Sequence, residues 1–411
     1  MNAAIPFDHN DISSRSEESR VVLEMGERNE YIRQHQQEAF TKAFIRTLKG
    51  EAEGALSTYL FYDITNSDSR SLANLEYDAS TILSGGNAWD RHIAETIEVK
   101  NPEEKTVLGS DKSVIKFALN HGMTEQLPGA IKFVTYGAGD EIAFSQNEGQ
   151  IIHALQSADH QIKHFCAVDI LERYAIEAVV AARSKYKIGS YSAVLGDFIS
   201  NGRLAIKETS GHPIITIFGN TFENTPHYND GIDLETRAAV AWAKMNLQHN
   251  YKGHMVIKTF DGNQTAAEQV EKYAPTRNFE AFILSAFARA AQTGVITNEN
   301  YDVFENWRLK TQFNEVTKSI ELLAECKKDH SVKSPYLPEG KMEFHAATDE
   351  TPADSRIITL SHKWTFETHK RIAERAGYKV VEYKEPGNSN ILMLATAIRD
   401  PDEDLRKLAF N

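Results

Sequence analysis

Cysteine is scarce in this chain: its 411 residues include only Cys166 and Cys326. Two cysteines cannot build the disulfide framework of a small secreted domain or the four-ligand set of a zinc ribbon, and a reducing cytoplasm is the expected setting. Cys166 falls in the apolar run HFCAVDI and reads as a small core residue. Long hydrophobic runs are missing as well. No stretch approaches the ~20 apolar residues that a membrane helix needs. The opening MNAAIPFDHNDISSRSEESR has no apolar segment of the signal-peptide kind, and residues 1–18 read as a loose tail. Positive charge is in deficit: 45 Lys and Arg against 58 Asp and Glu give a net charge of -13. Such a surface repels phosphate backbones, which argues against a general nucleic-acid binder. Neither internal repeats nor low-complexity tracts stand out. The expected partner is a small molecule, with no membrane and no nucleic acid; the sequence is silent on oligomeric state.

What is present is a rhythm. Residues 20–48 read as a helix or helix pair ended by Lys49-Gly50, and STYLFYDITNSDSRS as a short aromatic segment and a loop. A helix is expected over 112–121. Apolar runs at 131–136, 164–168, 191–195, 213–218 and 255–260 then alternate with helical patterns at 147–158, 171–185 and 234–247. Alternation of this kind predicts an α/β fold with a parallel sheet covered on both faces. From 264 to 335 the rhythm breaks, and the pattern reads as helices over 264–273, 279–292, 301–305 and 312–326. Strand character returns at 341–346 and 356–360. A helix over 365–376 and an antiparallel hairpin, 379–383 with 391–395, close the sheet.

Ligands of such sheets bind at the carboxyl ends of the strands. The ends here carry Gly137 and Gly139, Asp169, Asp197 with Phe198, Gly219, and Asp261. The turn FVTYGAGDEI, residues 133–142, has two glycines that let backbone approach a ligand closely. The third glycine of a G-x-G-x-x-G pyrophosphate turn is replaced by Ile142, and Asp140 and Glu141 begin the next helix. Acids at a helix start are poor company for a phosphate. A nucleoside cofactor without phosphate suits the turn better, which points to S-adenosylmethionine. Asp169 can accept from ribose hydroxyls and Asp197 from an adenine amino group, with Phe198 against the ring. The bland reading of each strand-end Asp is a helix cap; the ordered set carries the argument.

On these residues the chain resembles the S-adenosylmethionine-dependent, histidine-specific Nα-methyltransferase family, the type that makes trimethylhistidine in ergothioneine synthesis. VTYGAG (134–139), Ala167-Val168-Asp169, VLGDF (194–198) and IFGNTFEN (217–224) resemble four of its motifs in order. TFDG with Glu271-Lys272-Tyr273, Leu60-Phe61-Tyr62-Asp63, KMEFHA (341–346) and Ile358–Trp364 resemble four more. The resemblance implies a Rossmann-like methyltransferase sheet (112–262 and 364–411). It also implies a mostly helical second domain made of the N-terminal part (19–111) and a substrate-binding insertion (263–363). Gly137, Gly139, Asp169, Asp197, Phe198 and Gly219 are then the expected cofactor residues. Tyr62 and Asn224 are expected at the substrate amine, and Asn224 with Tyr273 at its carboxylate.

Departures from the family pattern bear on the substrate. The Glu that grips the imidazole in histidine-specific members falls on Thr359, a Met nearby falls on Phe344, and the neighbouring Ser is kept as Ser361. Thr cannot supply the negative charge that favours a cationic ring. The expected activity is therefore N-methylation of an amino acid or amino-acid derivative other than histidine. The family's Lys beyond the glycines is Ala143 here, with no Lys or Arg between Gly137 and His160. Two alternatives stay open: a non-catalytic or regulatory member of the fold, and a nucleobase methyltransferase suggested by Asn224-Thr225-Pro226-His227. Among the histidines, His160 and His164 read as a surface helix end with no metal-site pattern. His362 has opposite strand parity to Ser361 and is expected to point away from the pocket.

Overall fold

The computed structural model describes residues 21–23, 28–60, 130–139, 141–170, 172–196, 199, 204, 206, 211–218, 222–249, 254–261, 265–384 and 390–410. The sheet at its centre has eight strands, in the order β1-β5-β4-β3-β6-β8-β15-β14. These are β1 (Val21–Leu23), β3 (Ala130–Tyr136), β4 (Gln161–Asp169), β5 (Tyr191–Leu195), β6 (His212–Ile217), β8 (Met255–Asp261), β14 (Tyr378–Lys384) and β15 (Asn390–Ala397). Neighbours from β1 to β8 run parallel, and β15 and β14 join antiparallel at the far edge. Helices cover both faces, which is why β3, β4 and β6 are buried almost along their length and read as mainly apolar runs without strict alternation.

The strand alternation sorts the core into two layers. On one face Ile131, Phe133 and Phe165 pack against Phe144, Ile152, Leu155 and Val179. Those partners come from α2 (Glu141–Gln146), α3 (Glu148–Ser157) and α4 (Glu172–Lys185). On the other face Val134, Ile215, Val256 and Met393 meet Trp242, Ile372 and Leu405, from α5 (Leu234–His249), α9 (Phe366–Arg375) and α10 (Glu403–Phe410). Each fully buried Phe or Leu on these faces contributes about 1.5–3 kcal/mol. Cys166 is a wholly buried core residue, as expected. His164, in contrast, is no surface helix end: it is a buried residue of β4, bonded through both ring nitrogens to the hydroxyls of Ser190 and Ser192.

A second core forms beside the sheet. It gathers Phe40, Phe44 and Leu48 from α1 (Arg28–Leu48) with Phe282 and Phe287 from α7 (Arg277–Gln292). Trp307, Leu322 and Phe344 complete it. The short helices α6 (Ala266–Lys272) and α8 (Val303–Asn306) flank it, together with a small pair, β2 (Ala52–Glu53) and β7 (His227–Tyr228). At its centre is a three-stranded antiparallel sheet, β13-β10-β9, comprising β9 (Trp307–Asn314), β10 (Ser319–Cys326) and β13 (Ser355–His362). A hairpin of β11 (His330–Lys333) and β12 (Lys341–Phe344) lies nearby.

The helix expected over 312–326 is therefore a β-hairpin. Asn314 starts its turn: the side-chain Oδ1 accepts from the Val316 and Thr317 amides, and Lys318 turns the chain at φ 49°. Beyond the turn the period is two. Ile320, Leu322, Ala324 and Cys326 face the second core. Glu321 and Glu325 point the other way, to Gln312 and Asn314 and to Arg308 and Lys310. Glutamates four apart satisfy a helical pattern equally well, and only the partner strand separates the two readings. The helix expected at 112–121 and the segment 67–115 lie outside the described residues.

Candidate functional site

The glycine turn closes β3 at the centre of the sheet. Gly137 and Gly139 have φ of 72° and 64°, the left-handed region that an L side chain rarely enters. A Cβ at Gly139 would lie 3.0 Å from that of Ala143. The turn is tied to the neighbouring strand end: Gly137 donates to the Val168 carbonyl at 2.8 Å, and Gly139 to Asp169 Oδ2 at 3.3 Å. Asp169 is 6% exposed, and its carbonyl accepts from Gly196 at the end of β5. The carboxyl ends of β3, β4 and β5 thus bring together a glycine backbone and a carboxylate that accepts hydrogen bonds. That donor set fits the sugar and amino-acid ends of a nucleoside cofactor without phosphate. Asp197, Phe198 and Gly219 lie outside the described residues, as does Tyr62.

Behind the turn is a residue that sequence reasoning did not single out. Glu148, in the first turn of α3, is buried; its Oε1 accepts from Thr135 Oγ1 at 2.8 Å, and its Oε2 has no partner among the described residues. Burial pushes its pKa up to about 8, against the smaller pull of the Thr135 hydroxyl. The only hint in the sequence is an acid inside an otherwise amphipathic helix.

Asn224 ends a 3-10 turn (Phe222–Asn224) that follows β6. Three contacts pin this turn. Phe222 packs on Trp242 with ring centres 5.4 Å apart. Glu223 Oε1 accepts from Lys258 Nζ at 2.6 Å, both side chains almost wholly buried. His362 Nε2–H donates to the Thr225 carbonyl at 2.8 Å. Glu223 Oε2 has no partner among the described residues, and His369 Nε2 lies 3.3 Å from Oε1. Burial raises the Glu223 pKa, and the Lys258 ammonium works against that rise. His362 stacks on Trp364 at 4.6 Å, and burial lowers its pKa to about 4, so the ring is neutral. It faces the turn, on the opposite side of β13 from Ser361, as its parity requires.

On the other face of β13, Tyr273 and Ser361 meet hydroxyl to hydroxyl at 3.1 Å, and Lys363 Nζ donates to Tyr273 Oη at 3.0 Å. Thr359, two residues back from Ser361, is within 2.5 Å of the Ser57 hydroxyl. Phe344 is part of the second core, against Trp307 and His330 with the Arg356 guanidinium over its ring. Tyr273, Thr359 and Ser361 thus share one face of β13, while the turn that carries Asn224 packs through His362 against the other. Glu148, behind the glycine turn, and Glu223, Lys258 and Ser57, around the 3-10 turn and β13, were not singled out from the sequence. Lys258 left one signal, a lone charge in the apolar strand MVIKTF.

Among the described residues no helix is long and apolar enough to cross a membrane. No curated protein matches the chain. Among solved structures, the amino pentose methyltransferase CalS10 of Micromonospora echinaspora, solved with SAM bound, is 11% identical; the match covers 79% of this chain and 98% of that one, with a TM-score of 0.32. The CcbJ methyltransferase of Streptomyces caelestis is 12% identical over 79% of this chain and all of its own, with a TM-score of 0.34. DesVI of Streptomyces venezuelae is 9% identical over 78% and 99%, with a TM-score of 0.30. The family described as "Histidine-specific methyltransferase, SAM-dependent" matches residues 41–397, most of the chain. A doubly covered sheet with a glycine turn and a strand-end aspartate, matched to that family from α1 to β15, makes the protein a member of the histidine-specific, S-adenosylmethionine-dependent methyltransferase family.

Proposed function

We propose that this methyltransferase N-methylates the amino group of an amino acid or an amino-acid-derived small molecule other than histidine. The observation that carries the reading is the Lys363–Tyr273–Ser361 relay, 3.0 and 3.1 Å, on the strand against which the Asn224 turn packs. A phenol, a hydroxyl and an ammonium in one place, with an amide on the turn that packs against the same strand, suit an amino-acid backbone. The ammonium and phenol complement a carboxylate, and the Asn224 side-chain oxygen can accept from an amine.

S-adenosylmethionine supplies the methyl group on a sulfonium sulfur. Gly137, Gly139 and Asp169 hold the nucleoside and amino-acid ends of the cofactor, with Asp197, Phe198 and Gly219 completing that set. In-line transfer would form an N–C bond as the sulfonium C–S bond breaks and the thioether leaves, so the protein's main work is positioning and exclusion of water. The attacking nitrogen must carry a lone pair. Asn224 accepts an N–H and orients that lone pair, and Tyr62 shares the task. Tyr273 holds the carboxylate end. Thr359 occupies the place where histidine-specific relatives have a carboxylate; its hydroxyl is neutral and nine-tenths buried, and it gives an imidazolium no counter-charge.

Calorimetric titration with S-adenosylmethionine, followed by a mass-shift screen of free amino acids and their derivatives, tests the reading. We expect cofactor binding and mass gains in multiples of one methyl group on non-histidine substrates. Asn224→Ala is expected to cut turnover about a hundredfold while cofactor affinity holds. Full activity of that variant overturns the amine assignment.

A further inference from the structure

A cleft beside the second core lies apart from the groups assigned to cofactor and substrate. About 490 Å³ of space opens between the end of α6 and β9, a volume in the range of small-ligand sites. Val270, Pro275 and Leu309 give it apolar walls, and neither Asn224 nor the Lys363–Tyr273–Ser361 relay lines it. Its two sides carry opposite charge. On the β9 side Arg308 and Lys310, both about half exposed, share one buried carboxylate. Arg308 Nε donates to Glu325 Oε2 and Lys310 Nζ to Oε1, each at 2.7 Å. Against the lift of its own burial, these bonds hold the Glu325 pKa below its usual range, so it stays an anion. Two cations on one anion leave a positive charge in excess. Both keep N–H donors to spare, since an ammonium has three and a guanidinium five. On the α6 side stands Glu271, exposed to solvent.

The walls are set before any ligand arrives. Thr311 Oγ1 donates to the Tyr273 carbonyl at 2.8 Å, which ties β9 to the cap of α6. Glu325 fixes where the Arg308 and Lys310 donors point, so less ordering entropy is lost on binding. Between the two sides runs a sheet edge, because β9 pairs with β10 alone. The Leu309 amide turns away from β10 and donates to Glu280 Oε1 at 2.9 Å. By the alternation of antiparallel pairing, Thr311, which lines the cleft, also turns its main-chain N–H and C=O away from β10. We infer that this cleft is a second ligand site, for a free zwitterionic amino acid with an apolar side chain. The carboxylate meets Arg308 and Lys310, the ammonium meets Glu271, and the side chain rests on Val270, Pro275 and Leu309. An anion would leave Glu271 uncompensated and a cation would leave the excess charge of β9 uncompensated; a zwitterion answers both.

The experiment is calorimetry on the full chain saturated with S-adenosylhomocysteine, as wild type and with Asn224→Ala to impair the substrate end. The probes are leucine, leucinamide, which lacks the carboxylate, and 4-methylpentanoate, which lacks the ammonium. Leucine is expected to bind both proteins with a Kd below about 1 mM, and each of the other probes at least about tenfold more weakly. Ala274, exposed on the α6 side, also lines the cleft, and Ala274→Trp fills it. Added to Asn224→Ala, Ala274→Trp and Glu271→Gln are each expected to weaken leucine at least about fivefold, with the melting temperature and cofactor affinity held. Lys310→Met, which leaves Arg308 on Glu325, is expected to do the same. Absence of leucine binding, equal binding of leucinamide or 4-methylpentanoate, or leucine binding untouched by the cleft variants overturns the inference. So does leucine binding that Asn224→Ala abolishes, which places the ligand at the substrate end. The inference does not depend on which amine is methylated. The mass-shift screen decides that separately, and either result can fail without the other.

Discussion

Lys258→Met tests the buried ion pair under the Asn224 turn. The side chains of Lys258 and Glu223 are 0% and 2% exposed and meet at 2.6 Å. Methionine fills the space of the lysine stem and removes only the charge. Glu223 is then left buried beside the neutral His369, with only the weaker field of the Lys363 ammonium. A lone buried carboxylate costs roughly 3–5 kcal/mol when its partner is removed. It has a cheaper way out, which is to take up a proton. From an ordinary pKa of 4.5, protonating it at pH 7 costs about 3.4 kcal/mol. The loss at pH 7 is therefore capped near 3 kcal/mol, and it shrinks by about 1.4 kcal/mol for each pH unit towards 5. In melting temperature this is at most roughly 6–12 °C at pH 7 and about a fifth of that at pH 5. The double variant Glu223→Leu with Lys258→Met has no charge to strand and is expected to recover most of the loss. Scanning calorimetry of the three proteins at pH 5, 6 and 7 checks this. A single variant within 1 kcal/mol of wild type at pH 7, or a loss that does not change with pH, refutes the reasoning.

Two further outcomes follow from the cofactor side. Glu148 has a folded pKa raised to about 8, above its ordinary 4.5. The folded state thus holds a proton that the unfolded state gives up, and stability drains away as pH rises from about 4.5 to 8. Glu148→Gln keeps the neutral shape and is expected to be more stable than wild type by a few kcal/mol at pH 8, converging with it near pH 4.5, by melting curves across that range. Gly139→Val forces a β-branched residue to φ 64° against Ala143, so cofactor affinity measured by calorimetry should fall at least about tenfold.

The central sheet was legible because its strands are buried on both faces. Ile131–Tyr136 and Tyr191–Leu195 appear as mainly apolar runs, and Asp169 closes β4 where an acid was expected. The 307–326 hairpin was not legible, because Glu321 and Glu325 sit at a spacing that suits either period. The contacts that organise the candidate site were the least legible. Glu223 pairs with a lysine 35 residues away, and Ser57 with a threonine 302 away. Each looks ordinary in its own neighbourhood, since a hydroxyl in a turn or a charge near a strand end needs no explanation. The exception was Lys258: a charge in a strand with apolar neighbours on both sides requires a buried partner, and that requirement could have been read before the partner was known.

The antiparallel closure of the sheet also sets an order of assembly. β8 is complete at Asp261, but its far edge is paired only by β15, which begins at Asn390. On a ribosome more than a hundred residues must emerge before that edge is satisfied, and until then Met255–Phe260 presents unpaired amides beside an apolar face. The Ser57–Thr359 contact waits almost as long. A nascent chain of this protein can shape its glycine turn early but cannot close the Ser57–Thr359 contact until nearly nine-tenths of it has been made. Co-translational chaperone contact is accordingly expected to concentrate on chains halted between β8 and β15.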